Sequence, residues 1–531
     1  MSAPVAQRAR KGLPLWAILA LSLSIVGPTL AMSGNGQGLV LSVGKGVPLV
    51  LILGLICVAL VAYGFVRLTR HMSHSGSAYA LVGRTVGPRS GFFSGFAMIA
   101  TYLGFATGCV GLFASFFNSF LAAAQGNPAH PFQLPWIVPA LIAVAAAVGL
   151  TFIDAKRALT VLLWIEGVGI VAMLVLTFVI FARGGAAGVR DGAPGIDWSV
   201  FTLGHGVSAS SVLGGIVVAF LTWAGFEGCA TLGEESDDPT RAIPRVLIGS
   251  VAITGVLFTL IMFAETVGFG TDAKGLAAFG ASGNTLGELG SSFVGNWFGL
   301  IIIFTGLMSS FACVIASAAT SGRLVQAFAR DGFLPQRLAK IDERTEAPRN
   351  AILAIIAVAL VINVVSFLTR WPNNGGGADD NLAIDAYGLY ATAGAITLMI
   401  AYLMVEIAAI WFVNAKKFAG VTQLKGRVAG TILPAIGAIA IVVVLVFNVK
   451  GTVGDDGVSW SSPVYIGLAW CLVGLVIAAA ASRLTARIGE ELARSIDLGE
   501  GIHTRGPVSE AVDILEHAEA RLEAAHESED A

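Results

Sequence analysis

Apolar runs of about 20 residues recur along the whole chain, and they constrain its fold more than any other feature. A helix of about 20 residues crosses the roughly 30 Å hydrocarbon core of a bilayer. Only 12% of the residues are charged, against about 25% in a typical soluble domain. Because backbone groups in lipid must be paired inside the spanning segment, these runs predict an all-α integral membrane protein.

Twelve runs of this kind predict twelve transmembrane helices in one polytopic unit. They are residues 16–43, 47–68, 90–122, 136–153, 159–181, 212–233, 246–269, 297–328, 351–368, 389–411, 428–449 and 464–481. We predict a tail at 1–15, a core of helices 1 to 10 at 16–411, helices 11 and 12 at 412–482, and a second tail at 483–531.

The basic residues predict the orientation of these helices. With a cytoplasmic N-terminus, 26 of the 32 Lys and Arg residues fall on the cytoplasmic side and six on the outside. Short cytoplasmic loops of membrane proteins carry such an excess of Lys and Arg. We therefore expect both tails in the cytoplasm and the protein in the cytoplasmic membrane.

Two of the apolar runs are interrupted within the predicted membrane. Helix 6 contains Gly225 and Glu227 and runs into an acidic stretch that we interpret as a turn closed by Pro244. Helix 1 contains Gly27 followed by Pro28, a pair that favours local unwinding. Backbone groups freed at such breaks must line a protein-enclosed cavity. Helices 1 and 6 start on opposite sides, so the breaks can meet at the midplane, which predicts the binding site of a solute transporter.

Four stretches of the chain carry a resemblance to a known family. They are SLSIVGPTLAMSG at 22–34, GSAYALVGRTVGPRSGFFSG at 76–95, the Gly-Phe-Glu run at 225–227 with PTRAIP at 239–244, and ARDGFLP at 329–335. In this order they resemble the amino acid/polyamine/organocation superfamily of secondary transporters over about residues 15–350. The resemblance implies a leucine-transporter-like fold, a 5+5 inverted repeat of helices 1–5 and 6–10 with discontinuous helices 1 and 6.

The two breaks predict the class of substrate. The N-terminus of a half-helix presents free N–H groups that suit a carboxylate, and carbonyl groups at the end of the other half suit an ammonium group. An α-amino acid carries both. The substrate-binding residues that the resemblance implies are Val26, Gly27, Thr29, Leu30, Ala31, Phe220, Thr222, Trp223, Ala224 and Gly225.

The side chains around the breaks favour a neutral amino acid. Leu221 stands where several members of the superfamily carry an aromatic gate, so we expect the aromatic lid from Trp223 or Phe220. No intramembrane Asp or Glu faces an obvious pocket for a dication, although Glu406 is a candidate if it faces the site.

The coupling ion needs a titratable or oxygen-rich site. Four carboxyl residues fall within the predicted spans, Glu166, Glu227, Glu265 and Glu406, and buried charges in a membrane are functional candidates by default. We interpret Glu265 as solvated at the outer end of helix 7. Glu406 stays open between a structural hydrogen bond and a substrate or proton role.

We expect ion coupling at Glu166, Glu227, Ser309 and Ser310. Glu166 stands where some proton-coupled members of the superfamily carry a helix 5 lysine, so their lysine mechanism does not transfer unchanged. Glu227 is either a structural bridge to neighbouring helices or the alternative coupling group. Proton-coupled uptake is the preferred interpretation; sodium symport, which the hydroxyl-rich helix 8 allows, and amino acid/amine antiport remain alternatives.

Other classes of function find no support in the sequence. The chain has no metal-ligand spacing, Ser/His pair or pore-loop repeat, so we expect neither an enzyme nor a channel, and no cofactor or metal. No basic stripe with interleaved aromatics predicts a nucleic-acid partner. The five cysteines lack CxxC spacing and are expected to be free thiols. The expected partners are an amino acid, a proton or sodium ion, and the lipid bilayer; the oligomeric state stays open.

Overall fold

The structure, a computed structural model, describes most of the chain between residues 15 and 480. The described ranges are 15–72, 77–126, 132–152, 155–204, 206–235, 238–330, 332–342, 347–372, 379–415, 427–451, 453–454, 457–458 and 463–480. The predicted C-terminal tail and all of the N-terminal tail except Leu15 lie outside the described residues.

Regular structure in the described ranges is almost entirely helical. The α-helices are α1 Leu15–Val26, α2 Pro28–Gly34, α3 Gly36–Val43, α4 Val47–Thr69, α5 Ser77–Thr85, α6 Pro88–Ala124, α7 Ile137–Leu150, α8 Ala155–Ala182, α9 Ala209–Trp223, α10 Pro239–Phe269, α11 Ala273–Ala281, α12 Thr285–Phe293, α13 Asn296–Arg330, α14 Arg349–Thr369, α15 Asp379–Asn414, α16 Arg427–Gly451 and α17 Pro463–Ala480. Turns of 3₁₀ helix are Gly44–Gly46, Gly185–Gly188, Trp198–Phe201, Phe226–Glu235 and Gln336–Leu338. Two strands of two residues, Val453–Gly454 and Gly457–Val458, pair antiparallel.

Ten helical stretches in the described residues are long and apolar enough to cross a membrane. One of these joins α2, α3 and α4 into Pro28–Thr69, and α7 is apolar but shorter. Each of the twelve predicted runs overlaps at least one α-helix. The predicted all-helical membrane architecture is therefore confirmed.

Helix 1 is broken where the sequence predicts it. α1 ends at Val26, Gly27 takes a left-handed backbone with φ of 61°, and Pro28 is the first residue of α2. Glycine reaches this conformation without steric cost, and proline at the first helical position loses no hydrogen bond. A second irregularity, at Asn35 between α2 and α3, is absent from the prediction.

Helix 6 is broken as well. α9 ends at Trp223, Gly225 has a φ of 101°, and the chain continues as the 3₁₀ segment Phe226–Glu235. The predicted turn closed by Pro244 is wrong: Pro239 starts α10, and Pro244 lies inside that helix. The first position of a helix accepts proline because its N–H would be unpaired there anyway.

The two broken helices run in opposite directions and pack side by side. The first half of helix 1 contacts the second half of helix 6, and the Ser22 hydroxyl donates to the Phe226 carbonyl over 3.2 Å. The outer part of helix 1, α3, packs against α9, the first half of helix 6. Helices α13 and α15 pack against this pair, and α6 packs against both of them, so both breaks lie inside the protein.

Residues 270–296, which join the predicted helices 7 and 8, are more ordered than their Gly-rich sequence suggests. They fold into α11 and α12, and the Asn284 side chain accepts a hydrogen bond from the Gly287 amide at the start of α12. Phe279 and Phe293 are buried under these helices. The apolar residues among the glycines bury against the transmembrane core, and this burial stabilises helices that propensity alone does not favour.

An ion pair joins two loops on the predicted outer side, and it gives a first testable prediction. Lys45 lies 3.3 Å from Asp197, and the Ser199 hydroxyl, followed more weakly by Lys45, lowers the pKa of Asp197 to about 2. Because this pKa is lower than the value of about 4 in the unfolded chain, the ionised carboxylate stabilises the folded state at any pH above about 4. This contribution is lost as the pH falls toward 2.

Asp197→Asn is expected to lower the free energy of unfolding at pH 7 by about 0.2–1 kcal/mol, the usual range for a partly exposed ion pair. Thermal unfolding of the purified protein at pH 7 and at pH 3 measures it, and the deficit should shrink at pH 3. Asp191→Asn, in the same loop, is the matched control. An equal loss in both variants would mean that general loop charge, not this pair, is responsible.

Candidate functional site

A cavity lies where the two broken helices meet. Helix 1 contributes Val26, Leu30 and Ala31, and the break in helix 6 contributes Leu221, Ala224 and Gly225. The rest of the lining comes from α6, α13 and α15: Tyr102, Phe105, Cys109, Cys313, Ser317, Tyr387 and Ala391. None of these side chains carries a formal charge at neutral pH, so the cavity is mainly apolar with a few hydroxyl and thiol groups.

The predicted substrate-binding residues divide into two groups. Those that line the cavity are Val26, Leu30, Ala31, Ala224 and Gly225; those that lie outside its lining are Gly27, Thr29, Phe220, Thr222 and Trp223. Trp223 is fully buried and its indole N–H donates to the Thr254 hydroxyl over 3.0 Å. In this conformation Leu221 lines the cavity. The aromatic residues that line the cavity are Tyr102, Phe105 and Tyr387, and not Trp223 or Phe220 as expected.

The backbone amides at the start of α2 are bonded to protein groups. The Thr29 amide donates to Glu166 over 2.7 Å, and the Leu30 amide donates to the Ser309 hydroxyl oxygen over 3.2 Å. The Ala31 amide donates to the Gly27 carbonyl. Because Leu30 bonds to Ser309, the Val26 carbonyl at the cavity wall does not receive the usual helical hydrogen bond. The helix 1 break thus directs two of its amides to Glu166 and Ser309, while Val26 lines the cavity.

Glu166 and Ser309 form one polar group beside the helix 1 break. Glu166 lies on α8 and Ser309 on α13, both are buried, and the Ser309 hydroxyl lies beside the Glu166 carboxyl group. A Cβ atom added to Gly27 would lie 3.4 Å from the Ser309 hydroxyl oxygen. Ser310 does not join this group, since its hydroxyl donates to the Leu307 carbonyl of its own helix.

Glu227 forms a separate polar group at the helix 6 break. Its carboxyl oxygens accept hydrogen bonds from Tyr102 over 2.8 Å and Tyr402 over 2.6 Å, and from the Gly225 amide over 3.1 Å. Three donors converge on one carboxyl group, which is the pattern that suits an ionised acceptor. Glu227 therefore ties the helix 6 break to α6 and α15.

The two remaining carboxyl residues are both buried away from the cavity. Glu265 was expected to be solvated, and this expectation is wrong because its side chain is fully buried. Phe279 of α11 and Thr285 of α12 lie beside it, so the outer helices cover the end of α10. Glu406 is fully buried on α15, where its carboxyl contacts Gly64 of α4.

The sequence did not predict a hydrogen-bonded chain that joins the broken helices to α15. The Tyr387 hydroxyl donates to Asn35 over 2.6 Å, and the Asn35 amide donates to the Thr222 hydroxyl oxygen over 3.0 Å. This chain joins α15, the kink in helix 1 and α9 on the predicted outer side of the cavity. The available signal was the tyrosines themselves: only seven occur, and a buried tyrosine hydroxyl requires a partner.

Comparison with known proteins settles the family. The family profile described as "Amino acid permease" matches residues 13–477. The chain belongs to the amino acid permease family. Its members are transporters and not enzymes, and the chain is accordingly a multi-pass membrane transporter.

Individual relatives of this permease have low sequence identity to it, but the alignments cover most of each relative's length. The branched-chain amino acid permease BcaP of Lactococcus lactis is 25% identical over 360 residues, covering 65% of this chain and 73% of the relative. The low-affinity putrescine importer PlaP of Escherichia coli is 23% identical over 356 residues, covering 66% of this chain and 74% of the relative.

A solved structure shows the shared fold of the permease. It is the crystal structure of MhsT in complex with L-phenylalanine, which aligns with a TM-score of 0.55 at 15% identity. The alignment covers 83% of this chain and 100% of the MhsT chain. At this identity the likeness concerns the fold alone.

Proposed function

We propose that this permease is a secondary active transporter of neutral amino acids across the cytoplasmic membrane. In this proposal twelve helices cross the bilayer, helices 1–5 and 6–10 form the 5+5 inverted repeat, and both termini are cytoplasmic. The cavity between the broken helices is the substrate site, with access alternating between the two sides. The observation that carries the proposal is this cavity, which is enclosed by the helix 1 and helix 6 breaks and is lined by uncharged residues.

The apolar lining supports a neutral substrate. A substrate ammonium group can bind the Val26 carbonyl and the carbonyl groups at the end of α9, and an aliphatic or aromatic side chain can contact Leu221 and Phe105. BcaP is described as a permease for branched-chain amino acids and PlaP as an importer of putrescine. A dication such as putrescine needs a second compensating charge, and burying an unpaired charge is costly. No lining residue provides a carboxylate, which favours an amino acid over a diamine.

In this proposal the carboxyl group of Glu166 competes with the substrate carboxylate for the Thr29 amide. Glu166 occupies the Thr29 amide, one of the groups that the resemblance assigns to substrate binding. A protonated Glu166 is a weaker acceptor than a carboxylate, so protonation frees this amide for the substrate. We therefore propose proton coupling through Glu166 and Ser309, with Glu227 holding the helix 6 break in place. Sodium symport and amino acid/amine antiport are the alternatives on the same fold.

Reconstitution tests the proposal and separates its alternatives. Purified protein in liposomes should accumulate labelled leucine or phenylalanine when a proton gradient is imposed, and it should accumulate putrescine poorly. Accumulation driven only by a sodium gradient, or uptake only against internal amine, would replace proton coupling with the corresponding alternative. Transport of putrescine without any amino acid would contradict the proposed substrate class. Protein-free liposomes under the same gradients are the control.

A further inference from the structure

A second polar cluster lies between helix 1, α10 and α12, away from the substrate cavity. Its members are Ser33 on α2, Gln37 on α3 and Glu265 on α10, none of which lines the cavity. Ser33 and Glu265 are fully buried and Gln37 is 6% exposed. The Ser33 hydroxyl, the Gln37 side-chain oxygen and both carboxyl oxygens of Glu265 have no hydrogen-bond partner in the structure. Four buried oxygen atoms without donors are unusual, because buried polar groups are normally paired.

The surroundings of Gly36 and Gln37 place these three residues in one region of the protein. Gly36 lies between Ser33 and Gln37 in the chain. A Cβ atom added to Gly36 would lie 3.1 Å from a Glu265 oxygen, so this part of helix 1 is close to the Glu265 carboxyl group. The Gln37 amide nitrogen donates to the carbonyls of Ser33 and Ser282, each over 3.2 Å. Gln37 therefore turns its remaining oxygen away from these bonds, and its orientation is fixed.

The α12 residue Thr285 completes this neighbourhood. Its hydroxyl lies beside Glu265, and it contacts the carbonyls of Met32 and Ser33 over 3.3 Å each. The cluster thus draws on the outer half of helix 1, on α10 and on the segment that joins α11 to α12.

The charge balance of the cluster calls for a cation. An ionised carboxyl group buried without a counter-charge is strongly unfavourable. Arg190, a basic side chain near this end of α10, is already bonded to Asp272 and to the Phe269 carbonyl. A proton would neutralise Glu265 but would add only one hydrogen-bond donor to a group of four oxygen atoms. A hard metal cation satisfies carboxylate, amide and hydroxyl oxygens together.

We propose that Ser33, Gln37 and Glu265 form a binding site for a monovalent alkali cation, with sodium as the preferred ion. One carboxylate balances one positive charge, which is why a monovalent ion fits better than a divalent ion. The bound cation links the outer half of helix 1 to α10 and, through the Gln37 and Thr285 contacts, to the α11–α12 segment. Its role is to hold the outer half of helix 1 against α10 and the α11–α12 segment. The inference depends neither on the identity of the substrate nor on Glu166.

Thermal unfolding of the purified full-length protein in detergent tests this site without any transport step. Sodium chloride is titrated against choline chloride at constant ionic strength, with no substrate present. A ligand that binds only the folded state raises the unfolding temperature, by about 2–3 °C for a chain of this length when its concentration is about a hundredfold above the dissociation constant. We expect this rise with sodium and not with choline, and we expect Glu265→Gln to abolish it.

Glu406→Gln is the matched control for this test. Glu406 is also a fully buried glutamate whose carboxyl oxygens have no hydrogen-bond partner, but it lies against Gly64 and Gly437, on other helices than Ser33 and Gln37. It should retain the sodium response. If Glu265→Gln does not fold, Ser33→Ala serves instead, because loss of one oxygen ligand should raise the half-maximal sodium concentration about tenfold.

Three results would overturn the site. The first is a wild-type protein whose unfolding temperature is the same in sodium and in choline. The second is a sodium response that persists in both Glu265→Gln and Ser33→Ala, and the third is an equal loss of the response in Glu406→Gln. Stabilisation by acid alone, lost in Glu265→Gln, would assign a proton to the cluster and would also reject the cation. Since no substrate is used, these results are independent of whether the proposed amino acid transport is correct.

Discussion

Gly225→Val is expected to abolish substrate binding while the protein stays folded in the membrane. Gly225 has a φ of 101°, a backbone conformation that a β-branched residue strongly resists. Forcing such a residue into it costs about 1–3 kcal/mol, so the backbone will shift. The shift would displace the Ala224 and Gly225 wall of the cavity and the amide that donates to Glu227.

Gly27→Val should act in the same way on the other broken helix. The φ of Gly27 is 61°, and the space around it is otherwise sufficient, since the nearest side-chain atom to an added Cβ, on Ser309, lies 3.4 Å away. The expected defect is therefore one of backbone conformation and not of crowding. Realignment at Gly27 would move the Val26 carbonyl and the Thr29 amide away from the positions that the proposed site requires.

Scintillation proximity binding of labelled leucine or phenylalanine, with thermal stabilisation by the substrate, measures both variants. Gly149→Val on α7 is the control, because an added Cβ there meets no atom within 4 Å. It should bind substrate normally. Unchanged affinity in both Gly27→Val and Gly225→Val would reject the assignment of the cavity as the substrate site.

The features that the sequence predicted correctly are those set by local chemistry. A Gly-Pro pair inside an apolar run encodes a break wherever the helix packs, so the interruption after Val26 could be read directly from the residues. The interruption at Gly225 follows in the same way from glycine in an apolar segment. The presence of helices could be predicted equally well, because a segment that spans lipid must form all of its backbone hydrogen bonds internally.

The features that the sequence did not predict depend on packing between distant elements. Glu166 and Ser309 are separated by more than a hundred residues, and only the packing of α8 and α13 against helix 1 makes them partners. Glu265 was misplaced because the span was taken to end in a solvated loop. Burial of Phe279 and Phe293 orders that loop, and it depends on contacts that no single segment reveals.

Glu166→Gln is expected to uncouple transport from the proton gradient while exchange of substrate continues. Glutamine has nearly the shape of a protonated glutamate and its carbonyl oxygen can still accept from the Thr29 amide, but it cannot release a proton. With one coupled proton, each unit of pH difference drives about tenfold accumulation, since about 1.4 kcal/mol corresponds to a factor of ten. The variant should therefore lose about tenfold accumulation per pH unit.

The structure explains why this loss should be specific to Glu166. The carboxyl group lies between the start of α2 and Ser309 on α13, so its charge acts on both the broken helix and its neighbour. In the proposed mechanism an ionised Glu166 holds the Thr29 amide against a substrate carboxylate, while a neutral side chain competes for that amide more weakly. Binding of proton and substrate is thus favourably coupled, and the variant with a permanently neutral side chain keeps binding but has no step that depends on pH.

Counterflow exchange and gradient-driven uptake, measured on the same proteoliposomes, distinguish these two properties. Glu406→Gln is again the control, because Glu406 is buried away from the cavity and should keep full accumulation. If Glu166→Gln retains pH-dependent accumulation, protons do not act through this residue. The coupling group would then be sought at Glu227, whose bonds to Tyr102 and Tyr402 connect the helix 6 break to the enclosing helices. If exchange is lost together with accumulation, Glu166 has a structural role at the helix 1 break and not a coupling role.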